Sequence, residues 1–550
     1  MKKSREQEHI EKLPQSIQEF IKLVIRKMGY RRKVRLEVCQ ELTAHFEDEL
    51  RHCTDEQQKL QKAQRLIEQF GDVKLLGILL RRAKKRCRPL GRTIAARTFQ
   101  TVGVLLVCFI LYVAWFLSGK PAITTDYIAE VNRLARPVAD ESLNAAPLFE
   151  EAAAKCPNTP DGFADFWSIK YADANQTQRQ AMENHVLQCS PALGLITEGA
   201  EKPYYWPKYT TGNKPADDGS MIGVLLPNLS KFRELARALC LRAQINAQKG
   251  DYGQAFDNLT TCYKFGRIAK QGEKTLIEQL VGIAIEALAA RNARELMHRY
   301  EIKPRQLEEF QSKFDEAYAG EDFTMRLLFE KFCVYDEIQR SFTEDRLGGG
   351  HLYLQRLHEL ASGSASGIPL VEAVSSLEGL HILFTHPNKK ETKETADKAY
   401  GFWQQVTRET PAQLRAEGID LNKQIEQLVK GNVLLKIMSP AIGKVHELTY
   451  RVKADVEATS TIAAILRCQQ NKGALPTDLN ELRQAGYLKQ LPLDPFSNQP
   501  LVYKRTGEGF TVYSIGLNFI DDGGKWNLDK EGKVRLWADE GDAVFWPVQE

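Results

Sequence analysis

The sequence predicts a mainly α-helical chain in four parts. These are an amino-terminal helical bundle, one transmembrane helix, a long helical region beyond it, and a small α+β domain at the carboxyl end. Three observations carry this reading. One run is long, apolar and free of charge. Most of the remaining chain shows apolar residues at helical spacing. Only the last stretch alternates in polarity between turn residues.

The chain has 550 residues, enough for more than one hydrophobic core. Its 43% hydrophobic and 27% charged content describe folded domains rather than disorder. The net charge is only +4, and much of the positive charge lies beside the apolar run. Topology and anionic headgroups account for it, so a lipid bilayer is an expected partner and nucleic acid is not.

Residues 1–90 read as the helical bundle. Ile17, Phe20, Ile21 and Val24 recur at helical spacing, followed by Val38, Leu42, Phe46 and Leu50, then by Leu60, Ala63, Leu66, Ile67 and Phe70. Gly71 is placed to end the third helix as a left-handed cap, and Asp72 to cap the next. Glu41, His45, Asp48 and His52 share one helix face. They are either metal-ligand types in a row or a solvated polar face.

Residues 91–120 hold a basic flank and the transmembrane helix. No charge occurs between Arg97 and Lys120, and residues 101–117 read TVGVLLVCFILYVAWFL. An uncharged run of about 20 residues crosses a bilayer core. Before it stand Arg81, Arg82, Lys84, Lys85, Arg86, Arg88, Arg92 and Arg97 with no acid among them. A Lys/Arg excess beside a span stays cytoplasmic, so the amino-terminal part is expected inside and the bulk outside. The opening residues are charged and lack an apolar core. No cleavable signal peptide is therefore expected, and the apolar run serves as signal and anchor.

The ten cysteines divide by compartment on this topology. Those outside are Cys156, Cys189, Cys240, Cys262, Cys333 and Cys468, where disulfides are allowed. Cys156–Cys189 and Cys240–Cys262 are the candidate pairs, and buried free thiols are the alternative.

Residues 121–228 are expected to be mostly helical, with a turn-rich stretch carrying Tyr204, Tyr205, Trp206 and Tyr209. That cluster is either a binding surface or a loop pinned to a core. Residues 229–300 hold a clear helix, a Gly-Asp turn and a second helix. Ala243, Ala247, Gly250, Tyr252, Ala255, Leu259 and Cys262 follow the small/large alternation of a tetratricopeptide-type (TPR-like) hairpin, with an ordinary helical bundle as the alternative. The next helix is apolar nearly all round, but Glu278 and Glu286 argue for burial in a helical stack rather than a second span. Residues 301–439 are helical with breaks at Gly348-Gly349-Gly350, at ASGSASG (361–367) and at HPNKKETKE (386–394); the first two read as flexible loops.

Residues 440–550 begin with a long helix. Pro476 is placed to start a short helix with Leu479 and Leu482 inward. Two strands are expected around the RTGEG turn, and GDAVFW as a last strand.

Three resemblances follow. The stretch RRKVRLEVCQELTAHFEDEL and then LIEQFGDVKLLGILL resemble the HAAS-type or permease-prefix helical domain that precedes membrane segments in bacterial sensor-associated proteins and permeases. That resemblance implies a protein-contact role. The tail resembles the globular end of the major pseudopilin of type II secretion systems. The matching residues are Asn471-Lys472-Gly473, Leu475-Pro476, Leu491-Pro492-Leu493-Asp494-Pro495-Phe496, Tyr513-Ser514-Ile515-Gly516 and Asp521-Asp522-Gly523-Gly524. In that family the acidic loop after the Tyr-Ser-x-Gly strand binds calcium. Carried over by position, Asn518, Asp521, Asp522 and Asp542 would be the oxygen ligands, with a hydrogen-bonded polar turn as the alternative. Trp526 and a longer insert depart from the pattern, and the apolar run lacks the leader junction and helix Glu of a pilin. The outer region as a whole resembles uncharacterised membrane proteins of planctomycete-type bacteria, which implies the bacterial inner membrane and no activity.

No HExxH, GxSxG, P-loop or GxGxxG occurs, and the GSASG at 363–367 has Ala365 where a nucleophile would stand. The expected function is therefore non-enzymatic: a single-pass anchored interaction or scaffold protein with unknown protein partners. The alternatives are a subunit or accessory of a type II secretion-like envelope system, and an enzyme whose site has no sequence motif.

Overall fold

The computed structural model describes residues 10–86, 90–116, 118–160, 166–211, 219–226, 228–345, 349–363, 385–439, 442–507, 509–529, 531–538 and 540–549. Gly348, most of the ASGSASG stretch, Ala365 and His381 lie outside them. The chain divides into two compact units, Met1–Trp115 and Phe116–Glu550. It is mainly helical, with one small three-stranded antiparallel sheet.

The first unit packs α1 (Gln15–Met28), α2 (Arg32–Leu50), α3 (Glu56–Phe70) and α4 (Val73–Arg86) around one core. Ile17, Phe20, Ile21 and Val24 of α1 are buried against Val38, Leu42 and Phe46 of α2, as their spacing requires. Gly77 lets α4 cross α1 at backbone contact, since a Cβ there would lie 3.1 Å from the Met28 nitrogen. Asp72 caps α4 by accepting from the Lys74 and Leu75 N–H groups at 2.6 and 2.8 Å. Those bonds hold its carboxyl below the usual range. Gly71 ends α3 with φ 69° and ψ −147°, not with the left-handed cap expected. The next residue is already capping α4, so the chain must extend instead of curling back.

Helix α5 (Leu90–Phe116) contains the apolar run. Its Ile94–Phe116 segment has 23 residues and a mean hydropathy of 2.1, and only 6% of its most apolar window is buried. It is long and apolar enough to cross a membrane.

The second unit begins with α6 (Tyr127–Ala135), α7 (Ala146–Lys155) and α8 (Gln176–Ala200). Then come α9 (Leu229–Gln248) and α10 (Tyr252–Lys270), the hairpin legible in the sequence. Gly250 turns the chain at φ 82°, and the Asp251 side chain caps α10 through the Gln254 N–H. Helix α11 (Leu276–Arg299) opens with a Thr275/Glu278 capping box and is buried along most of its surface, Glu278 and Glu286 included, with one stripe through Ala284 and Arg291 facing solvent. It meets α10 at Gly266 and Gly282, where either Cβ would fall within 2.8 Å of the other glycine's carbonyl oxygen.

Beyond them lie α12 (Pro304–Tyr318), α13 (Leu328–Ser341), α14 (Leu354–Gly363) and α15 (Lys389–Val406). Asn388 caps α15 with a capping box to Glu391, so KKETKE belongs to the helix and only His386-Pro387-Asn388 is the break. Three short helices follow before α16 (Ile442–Lys472), which packs along α11 and α12. The short helix α17 (Leu479–Gln484) starts after Asp478, whose side chain takes the Glu481 N–H, rather than at Pro476. The sheet order is β1 (Val502–Thr506), β2 (Gly509–Ser514), β3 (Ala543–Trp546). Tyr503 pairs with Val512 in the hairpin, and Ser514 with Ala543.

Candidate functional site

The tail is organised by two buried aspartates. Asp494 sits in the Leu-Pro-Leu-Asp-Pro turn with no exposed surface. Its Oδ1 accepts from the Phe496 N–H at 3.0 Å and the Ser514 hydroxyl at 2.8 Å, and its Oδ2 from the Ile515 N–H at 3.0 Å. The turn and the Tyr-Ser-x-Gly strand are thus one hydrogen-bonded unit, although twenty residues separate them. Burial still raises the Asp494 carboxyl above its ordinary range.

Asp542 is the second. It is fully buried at the start of β3 and accepts from the N–H groups of Asp522 (3.2 Å), Gly524 (2.7 Å) and Lys525 (3.2 Å). The acidic loop wraps it. Asp521 takes the Tyr513 hydroxyl at 2.7 Å and the Gly523 N–H at 2.9 Å. Asn518 donates to Asp522 at 2.8 Å and accepts from the Ile520 N–H. The structure folds the loop of Asn518, Asp521 and Asp522 around Asp542, which immediately precedes β3, with each side chain already in a hydrogen bond. No group of three or more His, Cys, Asp or Glu is placed to hold a metal ion among the described residues. On α2, Glu41, His45 and Asp48 form an exposed face, but the helix ends at Leu50 with Arg51 as its cap, so His52 lies in the turn beyond it and the four do not share one helix face. Glu41 pairs with Lys84 at 2.6 Å and His45 packs edge-on to Phe70.

The aromatic stretch is pinned to a core. Tyr205 is buried against Phe149 and Phe232, and the Tyr209 hydroxyl donates to Glu278 at 2.8 Å. Both candidate cysteine pairs are adjacent as buried free thiols. The Cys240 and Cys262 sulfurs lie 3.9 Å apart. The neighbouring Cys189 thiol lowers the Cys156 thiol below its ordinary value, and the Cys156 sulfur also reaches Glu234 at 3.8 Å.

Three features escape sequence reasoning. Glu286 and Glu321 face each other in the stack, both within 2.7 Å of the Lys270 ammonium, and Tyr263 donates to Glu321. Burial and then the neighbouring carboxylate push Glu286 well above the usual carboxyl range. The second feature is a buried link between helical stack and tail. Arg294 of α11 donates to Asp455 of α16 at 2.7 Å, and Trp537 of the tail donates to the same carboxylate at 3.3 Å. The third is a cleft of about 560 Å³ beside that link, lined by Arg233, Arg237, Arg291 and Arg294 and bounded by Trp167 and Trp537. The only signal for it in the sequence is arginine at i, i+4 in α9 and at i, i+3 in α11.

Comparison with protein-family models, with curated proteins and with solved structures finds no match to this chain.

Proposed function

We propose that this chain is a single-pass membrane-anchored interaction protein of the bacterial inner membrane. Its amino-terminal bundle is cytoplasmic and its larger unit lies outside. The observation that carries the reading is the Ile94–Phe116 helix: 23 residues, mean hydropathy 2.1, and almost unburied by the rest of the chain. A helix of that kind has no stable place in water, and the basic flank before it sets the direction of insertion. The role assigned is binding and scaffolding, with a TPR-like α9–α10 hairpin and a pseudopilin-like tail. The Asp494 bonds to Ser514 and Ile515 support the pseudopilin likeness, because they give the two matching motifs a physical reason to occur together. The same bonds favour a second reading, an accessory of a type II secretion-like envelope system.

Carbonate extraction of membranes and protease treatment of right-side-out vesicles test the proposal. The chain should stay in the carbonate-washed pellet, and an amino-terminal tag should be protected while a carboxyl-terminal tag is digested. Release by carbonate, or digestion of the amino-terminal tag, overturns it. Co-purification with secretion ATPase or platform proteins selects the second reading.

Calcium on the tail loop is a further part of the proposal, supported by a donor set made only of oxygens. Millimolar-range calcium should raise the melting temperature of the full chain, and Asp521→Ala with Asp522→Ala should remove that rise. An unmoved wild-type melting curve leaves the loop as a self-capped turn.

A further inference from the structure

The arginine cleft has a composition that folding does not explain. Its floor is the solvent-facing stripe of α11, where Ala284 and Ala287 leave room above the helix. Arg233 and Arg237 stand on the α9 wall, and Arg291 rises from the floor. All three are exposed. Arg294 is neutralised by Asp455 at 2.7 Å. Among the described residues, Arg233, Arg237 and Arg291 take part in no ion pair and no side-chain hydrogen bond. Arg237 alone has an aromatic partner, its guanidinium lying 6.0 Å from the Trp167 ring centroid. Like charges at i, i+4 destabilise a helix. Asp455 lines the same cleft and offsets Arg291 in part, but it already serves Arg294, so the three guanidiniums around one concavity carry a repulsion that an anion would relieve.

The two indoles are held in place. Trp167 donates to the Thr159 hydroxyl at 3.1 Å and packs edge-on to Phe166. Trp537 donates to Asp455, packs on Phe496 and Phe545, and carries the Arg451 guanidinium 5.6 Å from its ring centroid. Such rings offer fixed apolar surfaces for a flat or ring-shaped group. A second cavity of about 390 Å³ shares Trp167, Arg237 and Arg291 with the first. The combined space exceeds what a bare oxyanion fills.

We propose that this cleft is a binding site for a small ring-bearing anion, a phosphorylated or carboxylated ring compound. Arg233, Arg237 and Arg291 bind its anionic group, and Trp167 and Trp537 stack on its ring. Guanidinium forks match phosphate and carboxylate oxygens in pairs, which lysines do not. The site lies wholly within the second unit and does not depend on how the chain is anchored.

Isothermal titration calorimetry of the full chain in neutral detergent tests this, with inorganic phosphate, phenyl phosphate and benzoate as probes. Phenyl phosphate should bind about tenfold more tightly than inorganic phosphate, the margin that ring stacking supplies. Arg233→Ala with Arg291→Ala should weaken phenyl phosphate about tenfold or more. Arg291→Lys should recover only part of that loss. Trp167→Ala should bring phenyl phosphate down toward inorganic phosphate. Arg305→Ala, an exposed arginine elsewhere, should change nothing, and the melting curve of each variant reports its folding. No binding of any probe at millimolar concentration overturns the proposal, as does binding that survives the double arginine variant in folded protein. Equal affinity for phosphate and phenyl phosphate overturns the ring-bearing ligand. Capture of acidic peptide by a chain that ignores all three probes replaces the small ligand with a macromolecule.

Discussion

Asp494 and Asp542 do one job at two places in the tail. Each buries a carboxylate and satisfies it with donors from another part of the chain. A carboxylate without exposed surface is tolerable only when its oxygens are engaged. Asp494→Ala leaves two backbone N–H groups and a hydroxyl unpaired, and should cost about 3 kcal/mol or more in urea denaturation. Asp522→Ala removes an exposed carboxylate with one side-chain partner, and should cost within about 0.5 kcal/mol. Equal costs would remove the distinction. Glu457 of α16 gives the pH prediction. Burial first, and Asp315 behind it, raise its carboxyl to about 7. The folded state then holds this proton more tightly than the unfolded chain. Its contribution to stability is complete below the ordinary carboxyl value near 4.5 and is lost as pH rises through about 7. Glu457→Gln keeps the neutral form at every pH. Its stability relative to wild type should be near zero at acid pH and grow by up to about 3 kcal/mol at alkaline pH. A difference that does not change with pH refutes the assignment.

Helices were the most legible elements, because a periodic apolar face survives whatever it packs against. The α1 face and the α9–α10 turn at Gly250 are where their patterns put them. Ends were less legible. Asp478 outcompetes Pro476 as the start of α17, and Asn388 draws KKETKE into α15, since a side-chain cap with a free N–H in reach defines the first turn. What no pattern displays is the distance between two helices. Gly266 and Gly282 look like two weak points in good helices, yet together they set how closely α10 and α11 approach. A Cβ on Gly266 would sit 2.8 Å from the Gly282 carbonyl oxygen, closer than real contacts allow, and the obstacle is backbone. Gly266→Ala should therefore destabilise by about 2 kcal/mol or more, despite the better helix propensity of alanine. Gly253→Ala, near the start of the same helix, meets only a side-chain oxygen at 3.9 Å and should be neutral or stabilising. Thermal melts of the two variants decide this, and destabilisation of both alike would mean that the crossing is not the cause.

At the scale of the second unit, the tail and the helical stack share one buried charge. Arg294 reaches Asp455 and the Thr459 hydroxyl across the α11–α16 packing, and its guanidinium lies 5.3 Å from the Phe545 ring of β3. Trp537 binds the other Asp455 oxygen, and His298 of α11 packs edge-on to Trp546. The sequence makes the tail look separable, because its strands and turns differ in composition from the helices before it. Its dependence on α11 is invisible there, since 161 residues separate Arg294 from Asp455. The same remoteness hides the arginine cleft, whose members come from three helices, α9, α11 and α16, from the turn that carries Trp167, and from the tail. Removing one partner of a buried pair strands the other in a low-dielectric site, at a cost of about 3–5 kcal/mol. Arg294→Ala should therefore accelerate hydrogen exchange in β2 and in α11 together, and lower a single thermal transition of the second unit. Arg294→Met with Asp455→Leu removes both charges and should recover much of the loss, because the expense lies in the stranded carboxylate and not in the missing pair. If the single variant loosens β2 while α11 keeps its protection, the tail folds as a body of its own and the link is only a contact between neighbours.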